Sequence, residues 1–181
     1  HQRGFAEAQT QARRHDLGQN GVYREWINMQ PKPNKRWPDA VIVPSGRNYS
    51  RMITLAAYPG AKPVIKGSDA VTGWKQYKDA IWVRDDWTVN SQQVFVDEKI
   101  LDQIGGVMAE GHITSAWHWK HKGKGLEDMI PGSFYYDLKA KKLYIWLKDG
   151  KNPNQRLIEV STRERLIQVG DLEFIRVSGL T

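Results

Sequence analysis

Short apolar segments separated by glycine and proline turns constrain the fold of this 181-residue chain more than any other feature. Residues 52–58 end at Pro59 and Gly60, and residues 63–66 end at a turn predicted over residues 67–69. The spacing of these predicted strands, about 11 residues, is typical of coiled β architectures. No run approaches the ~18 apolar residues of a transmembrane helix. The sequence therefore predicts an all-β protein.

Further β-forming segments cover most of the chain from residue 22 onward. Residues 22–29 and 40–44 precede the two strands above, and residues 80–83, 157–160, 166–169 and 174–180 follow them. QVFVDEKIL (93–101) holds Asp97 and Glu98 between apolar stretches, which indicates a hairpin turn. SFYYDLKAKKLYIWLK (133–148) has a charged turn at residues 139–142 and predicts a second hairpin. The strands within residues 74–148 are expected to pair with one another in antiparallel orientation.

Aromatic residues are abundant, with eight Trp in the chain. Four aromatic residues alternate in the second predicted hairpin, so about half of them should face the core and half should face outward. We expect most of them to be core, while the outward ones could line a saccharide groove, because aromatic rings stack on sugars. The four residues are Tyr135, Tyr136, Tyr144 and Trp146.

The candidate substrate-binding residues lie in the segment AWHWKHK (116–122). Two Trp could stack on a sugar, and the basic side chains could meet its carboxylates or sulfates. Alternatively, the segment is a solvent-facing insertion loop whose two Trp pack against the body of the protein. The H-x-x-H spacing lacks a patterned third ligand, so no metal site and no cofactor is predicted. The candidate residues are Trp117, His118, Trp119, Lys120, His121 and Lys122.

Two pairs of adjacent carboxylates are considered for acid–base chemistry. They are Asp85 with Asp86 and Glu127 with Asp128. Glycoside hydrolysis needs two carboxyl groups that face each other across a bond. Neighbours on a strand point to opposite faces, so neither pair suits this task. Both pairs are therefore predicted to be turn residues, and no catalytic residue is assigned.

Three stretches together resemble the right-handed parallel β-helix proteins of the pectate-lyase-like superfamily. They are NGVYREW (20–26), ITLAAYPGAKPVIKGSDAVTGW (53–74) and the C-terminal stretch 158–181, which ends in FIRVSGLT. Residues 94–148 resemble the β-sheet insertion of some β-helical glycosidases and lyases. The resemblance implies the N-terminal coils of a parallel β-helix with an inserted antiparallel sheet. The implied segments are coils at 20–73, an insertion at 74–156 and a return to the coil at 157–181.

Residues 1–19 depart from this resemblance, which implies a helical cap and a strand before NGVYREW. If suitable codons are chosen for residues 13–19 and read one nucleotide later, they encode GDTIWV, the strand that the resemblance implies. We therefore hypothesise that residues 1–19 come from a frameshifted reading of the gene. The codons of residues 13–19 in the gene test this hypothesis.

The chain stops on an apolar alternating strand, so we also expect it to be an N-terminal fragment. We expect the fragment to be only marginally stable in solution, with an aggregation-prone edge at residues 174–180.

The resemblance implies a fragment of a secreted bacterial enzyme that degrades polysaccharides, as a lyase or a glycosidase. Catalytic residues of such enzymes lie on later coils, so the chain is expected to be inactive alone. A net charge of +7 favours an acidic polysaccharide such as alginate. A non-catalytic carbohydrate-binding module or a structural β-helix is the alternative. We expect neither a nucleic acid nor a membrane as partner.

Overall fold

The computed structural model describes residues 18–105 and 122–181 of the chain. The regular secondary structure of these residues is β-strand, apart from two short 3-10 turns, Leu126–Asp128 and Pro153–Gln155. They contain no helix long and apolar enough to cross a membrane. Sixteen strands follow in chain order: β1 Gly21–Tyr23, β2 Ile27–Gln30, β3 Val41–Ile42, β4 Ile53–Ala56, β5 Pro63–Ile65, β6 Ser68–Ala70, β7 Lys75–Lys78, β8 Ile81–Arg84, β9 Val94–Val96, β10 Lys99–Ile100, β11 Asp102–Ile104, β12 Ser133–Asp137, β13 Lys142–Trp146, β14 Ile158–Ser161, β15 Ile167–Val169 and β16 Ile175–Ser178.

The chain divides into two compact units. Unit 1 comprises His1–Gly67 with Arg163–Thr181, and unit 2 comprises Ser68–Thr162. The described residues form five sheets of two to five strands, none of them closed into a barrel. The all-β prediction is therefore confirmed for the described part of the chain.

Unit 1 consists of parallel strand pairs. Strand β5 pairs with β1, β15 pairs with β2 and β16 pairs with β4, each in parallel. The first members occur along the chain in the order β1, β2 and β4, and their partners follow in the order β5, β15 and β16. Strand β3, which lies between β2 and β4 in the chain, pairs in parallel with the other edge of β2. Apart from β3, the chain therefore passes through three ladders in one order and then repeats that order. Thr181 continues the cycle, because its backbone exchanges hydrogen bonds with Pro63 and Ile65 of β5.

The core of unit 1 forms from alternate residues of these ladders. Ile27 and Met29 of β2 are buried with Val43 and Ile65, and further apolar residues pack around them. All four residues of β2 are buried, so its other face, Asn28 and Gln30, is buried as well. The Gln30 amide donates a hydrogen bond to Oδ1 of Asn28 at 2.8 Å. This bond helps to satisfy two buried amides, which would otherwise destabilise the fold. The surrounding residues are Val41, Leu55, Ile167, Leu172, Ile175 and Leu180.

Unit 2 contains two sheets that contribute to one apolar core. The strand order is β11-β12-β13-β8-β7 in the five-stranded sheet and β10-β9-β14-β6 in the four-stranded sheet. All pairs are antiparallel except β11 with β12, which is parallel. Inward-facing residues of both sheets form the largest buried cluster, which includes Phe134, Leu143, Ile145, Val94, Ile158 and Val160.

Both predicted hairpins are confirmed. Strands β12 and β13 pair from Ser133↔Trp146 to Asp137↔Lys142. Asp97 and Glu98 form the turn between β9 and β10, and both have positive φ. Non-glycine residues rarely adopt this backbone region, and Asp is among those that tolerate it best.

Two local predictions were wrong. Residues 67–69 do not close a strand as a turn, because Ser68–Ala70 itself forms β6 and pairs with β14. Residues 22–29 are not one strand, since β1 ends at Tyr23 and β2 begins at Ile27. In both cases the pairing partner is distant in sequence, so the local pattern does not determine the strand bounds.

Arg156 joins two turns of unit 2. Its guanidinium contacts the carboxylates of Asp97 and Asp149, the latter at 2.8 Å. The pKa of Asp97 lies below its ordinary value of 3.8, mainly because Arg156 donates a hydrogen bond to the carboxylate. The backbone N–H of Lys151 is the main cause of the lowered pKa of Asp149. Both carboxylates are therefore stabilised in their ionised forms.

These lowered pKa values predict how stability depends on pH. A carboxyl group whose pKa is lower in the folded chain contributes stability above its ordinary pKa, and this is lost as pH falls through the folded value. We expect Tm to fall on acidification below about pH 4. The fall should be smaller in Arg156→Gln, which removes the main cause at Asp97, than in the exposed control Lys78→Gln. Equal acid sensitivity of the two variants in thermal melts would contradict this role of Arg156.

Candidate functional site

Five of the six candidate substrate-binding residues lie outside the described residues: Trp117, His118, Trp119, Lys120 and His121. The sixth, Lys122, forms a parallel backbone bridge with Ile104 at the end of β11. Its Nζ lies 2.5 Å from Oδ2 of Asp102, and both side chains are about half exposed. The prediction of a saccharide contact at this segment stays a prediction.

A second candidate is the aromatic face of the five-stranded sheet, which we define as Tyr77, Tyr135, Tyr144 and Trp146. Tyr135 of β12 lies directly opposite Tyr144 of β13. Directly opposite residues of neighbouring strands point to the same face of a sheet. Alternation along β13 places Trp146 on that face too. This face is opposite the one that carries Phe134, Leu143 and Ile145.

Alternation along β7 places Tyr77 on the aromatic face. Lys75 lies opposite Val83, and Val83 lies opposite Tyr144, so the residue two positions after Lys75 shares their face. The register of β7 shifts between Gln76 and Lys78, so Tyr77 is the extra residue of a β-bulge. The Tyr77 and Tyr144 rings are 5.2 Å apart between centroids and nearly perpendicular, at 74°. Sequence reasoning missed Tyr77, because the polar segment KQYK was not predicted to be a strand.

Exposure differs along the aromatic face. Tyr77 is 51% exposed, whereas Tyr144 is 5% exposed. Tyr135 and Trp146 are partly buried against a small apolar cluster that includes Tyr144 and Ile104. Burial raises the pKa of Tyr135 and of Tyr144, so both remain neutral phenols at neutral pH. The expectation that most hairpin aromatics are core holds for Tyr136 and Tyr144, the two that are buried.

Charged groups lie at one end of the aromatic face. Lys75 and Lys142 place their Nζ atoms 2.9 and 3.2 Å from the carboxylate oxygens of Asp85. Hydrogen bonds from these lysines, that from Lys75 first, lower the pKa of Asp85. The hydrogen bond to Asp85 in turn raises the pKa of Lys142. The arrangement offers ammonium donors beside exposed aromatic carbon, which suits hydroxyl-bearing rings.

The adjacent carboxylates behave as turn residues, as predicted. Asp85 is held by two lysines, and Asp86 has a φ of 55° in the bend after β8. Glu127 and Asp128 lie in the Leu126–Asp128 turn, where Asp128 Oδ2 accepts a hydrogen bond from Lys124 N at 2.7 Å. Within the described ranges, no group of three or more His, Asp or Glu side chains could hold a metal ion.

Comparisons with known proteins find similarity only among solved structures. No family model and no curated protein matches the chain. A structure of XylC in complex with xylose matches with a TM-score of 0.54 and 21% identity, over 88% of this chain and 28% of that one. A structure described as a glycoside hydrolase matches with a TM-score of 0.55 and 13% identity, over 90% of this chain and 41% of that one. The chain thus spans less than half of either protein, and it shares its all-β fold with structures that include a glycoside hydrolase.

Proposed function

We propose that this chain is part of a secreted carbohydrate-active protein in which unit 1 forms turns of a right-handed parallel β-helix and unit 2 binds saccharide. The observation that carries the saccharide proposal is the aromatic face, where the exposed Tyr77 ring meets Tyr144 at a near right angle. The xylose complex of the similar XylC structure supports the same ligand class.

The cyclic order of the parallel ladders supports the β-helix part of the proposal. In such a coil, each turn stacks its strands in parallel on those of the previous turn. The three ladders follow this pattern in the order β1, β2, β4 and then β5, β15, β16, with β3 as an additional parallel strand on β2. The residues between β5 and β15, nearly all in unit 2, then constitute an insertion within the second turn.

The charge distribution supports an acidic polysaccharide, such as alginate, as the preferred ligand. The described residues of unit 1 hold eleven Lys and Arg against five Asp and Glu, a net charge of +6. Those of unit 2 hold twelve of each, a net charge of zero. A field of one sign raises the local concentration of oppositely charged ligand. The positive charge therefore favours polymers of uronic acids over neutral xylo-oligosaccharides.

A non-catalytic binding module is the second candidate function. It is favoured by the state of the carboxylates in the described part of unit 2. Asp85, Asp97 and Asp149 are held by basic side chains, and Asp128 caps a loop. A general acid needs a raised pKa, whereas the pKa values of Asp85, Asp97 and Asp149 are lowered. Release of unsaturated uronate from alginate, followed by absorbance, would distinguish a lyase from this module.

Tyr77→Ala tests the proposed saccharide face. We expect the variant to lose affinity for alginate and for neutral xylan by about two- to tenfold, the range for one lost aromatic contact. Affinity gel electrophoresis of the 181-residue chain measures this loss as reduced retardation by the embedded polymer. Folding should be unaffected, because the Tyr77 ring is half exposed.

Tyr58→Ala is the matched control for this experiment. Tyr58 is 48% exposed, close to Tyr77, but it lies in unit 1 rather than on the five-stranded sheet. We expect its mobility shift with xylan to equal that of the parent chain. Equal losses in both tyrosine variants, or a parent chain that is retarded by neither polymer, would refute the aromatic face as a saccharide site.

A further inference from the structure

Unit 1 carries an aromatic–cationic cluster that the proposed saccharide face does not include. The loop between β2 and β3 brings Trp37 against Trp26, which immediately precedes β2. The two indole rings are 5.1 Å apart between centroids and lie at 84° to each other. Trp26 keeps 39% of its surface exposed. The pair therefore forms a corner with exposed aromatic surface rather than a sealed core contact.

A guanidinium lies at the same corner. The Arg36 Cζ is 4.9 Å from the centroid of the Trp37 ring, a distance typical of a cation–π contact. Within the part of the chain that the structure describes, no carboxylate lies within ion-pair distance of Arg36. No described carboxylate therefore accepts hydrogen bonds from its guanidinium, whereas Arg156 of unit 2 holds two carboxylates.

The loop is held in a defined conformation by local bonds. Trp37 N donates to the carbonyl oxygen of Asn34 at 2.9 Å, and Arg36 N donates to Oδ1 of Asn34 at 2.8 Å. Pro33 and Pro38 flank this turn, and proline restricts the backbone further. A site that is already ordered loses less entropy when it binds a ligand. The turn thus presents Arg36 and Trp37 together before any ligand arrives.

We propose that Trp26, Arg36 and Trp37 form a subsite for a sugar ring that carries an anionic group. The sugar ring stacks on exposed indole, and its carboxylate or sulfate accepts hydrogen bonds from the Arg36 guanidinium. The net charge of +6 on the described residues of unit 1 attracts the polymer to this unit. The inference rests on the proposed function, because it assigns acidic saccharide recognition to a particular loop.

The geometry favours a saccharide over a single-stranded nucleic acid. Nucleic-acid sites stack successive bases on a row of aromatic rings along a basic groove. Here the two rings meet at 84°, so the corner accommodates one ring with an anion beside it. A single sugar acid within a polysaccharide matches this arrangement.

Arg36→Gln tests the subsite, with Arg51→Gln as the matched control. Both remove one exposed cation from a loop of unit 1, so both lower its net charge equally. We expect Arg36→Gln to weaken binding of the 181-residue chain to alginate about tenfold, the effect of a lost charge-assisted hydrogen bond. Arg51→Gln should weaken alginate binding by less than twofold, and neither variant should change the retardation by neutral xylan.

Trp37→Ala should weaken alginate binding as well. Dextran sulfate replaces alginate in a parallel arm and shows whether sulfate also serves as the anion.

The outcomes separate this inference from the proposed function. If Tyr77→Ala weakens binding of both polymers while Arg36→Gln and Arg51→Gln weaken alginate binding equally, the subsite is refuted and the saccharide face stands. If the parent chain binds neither polymer, both are refuted. If a single-stranded oligonucleotide displaces alginate and its own binding depends on Arg36, the cluster is a nucleic-acid site and the inference is overturned.

Discussion

Replacing Phe134 by alanine is expected to destabilise unit 2 by about 3–5 kcal/mol, the range for removal of a buried aromatic ring. Phe134 is 1% exposed and lies in β12, an interior strand of the five-stranded sheet. It belongs to the largest buried cluster, together with residues of the four-stranded sheet. Its loss leaves a cavity that neighbouring strands cannot fill, because their positions are set by backbone pairing.

Urea unfolding followed by tryptophan fluorescence measures this loss, since Trp74 belongs to the same cluster. Leu138→Ala is the control, because Leu138 follows β12 and is 41% exposed, so we expect a change within about 0.5 kcal/mol. Phe134→Leu retains most of the volume and provides a measurable intermediate if the alanine variant does not fold. Similar unfolding midpoints for Phe134→Ala and Leu138→Ala would contradict the placement of this core.

Gly46→Ala is the second large expected effect, at about 1–3 kcal/mol or more. A Cβ at this position would lie 2.6 Å from the carbonyl oxygen of Phe174 and 2.8 Å from that of Arg51. Both contacts are with backbone atoms, so relief requires the chain to move. The same segment holds the hydrogen bond from Gly46 N to Glu173 O, at 2.9 Å. The substitution therefore separates segments of unit 1 that are distant in sequence.

Gly67→Ala is the matched control for this substitution. Its added Cβ would first meet the Cδ2 atom of Leu166 at 3.2 Å, the end of a side chain that can rotate. We expect thermal melts to show a clearly lower Tm for Gly46→Ala than for Gly67→Ala. A Tm of Gly46→Ala that matches that of the parent chain would show that residues 46 and 173–174 are not in contact.

The two hairpins could be predicted from sequence because their strands are adjacent and their turns are marked. Residues 133–148 combine alternation with a charged turn, and Asp97 with Glu98 marks the other turn. Strand β6 could not be predicted, because Ser68, Asp69 and Ala70 are weak strand formers. Its pairing with β14, far along the chain, determines its structure. The parallel ladders involve equally distant partners, so only the resemblance pointed to them.

The sequence pattern likewise predicted only some of the residues of the candidate sites. Tyr135, Tyr144 and Trp146 belong to the predicted hairpin, but Tyr77 lies in β7, a polar segment that was not predicted to be a strand. Trp26 and Trp37 meet because the intervening loop folds back, which residue types alone do not indicate. The positive charge could be counted from the sequence, but its restriction to unit 1 required the division of the chain. The predictions of secretion and of substrate contact at residues 117–121 stay predictions.

Cross-linking of engineered cysteines most directly tests the central claim, which is that unit 1 stacks its strands in parallel and in cyclic order. The chain has no native cysteine, so each introduced pair is unambiguous. Val22 lies opposite Val64 in one ladder, and Thr54 lies opposite Arg176 in another. Neighbouring strands are about 4.8 Å apart, within the range that a disulfide spans.

We predict that Val22→Cys/Val64→Cys and Thr54→Cys/Arg176→Cys each form an intramolecular disulfide in the 181-residue chain under mild oxidation. The off-register pairs Val22→Cys/Ile65→Cys and Thr54→Cys/Val177→Cys should not, because a shift of one residue turns the second side chain to the other face. Non-reducing electrophoresis and mass spectrometry of the linked peptides distinguish the two patterns. Disulfides in the off-register pairs, or in none of the four variants, would contradict the parallel ladders.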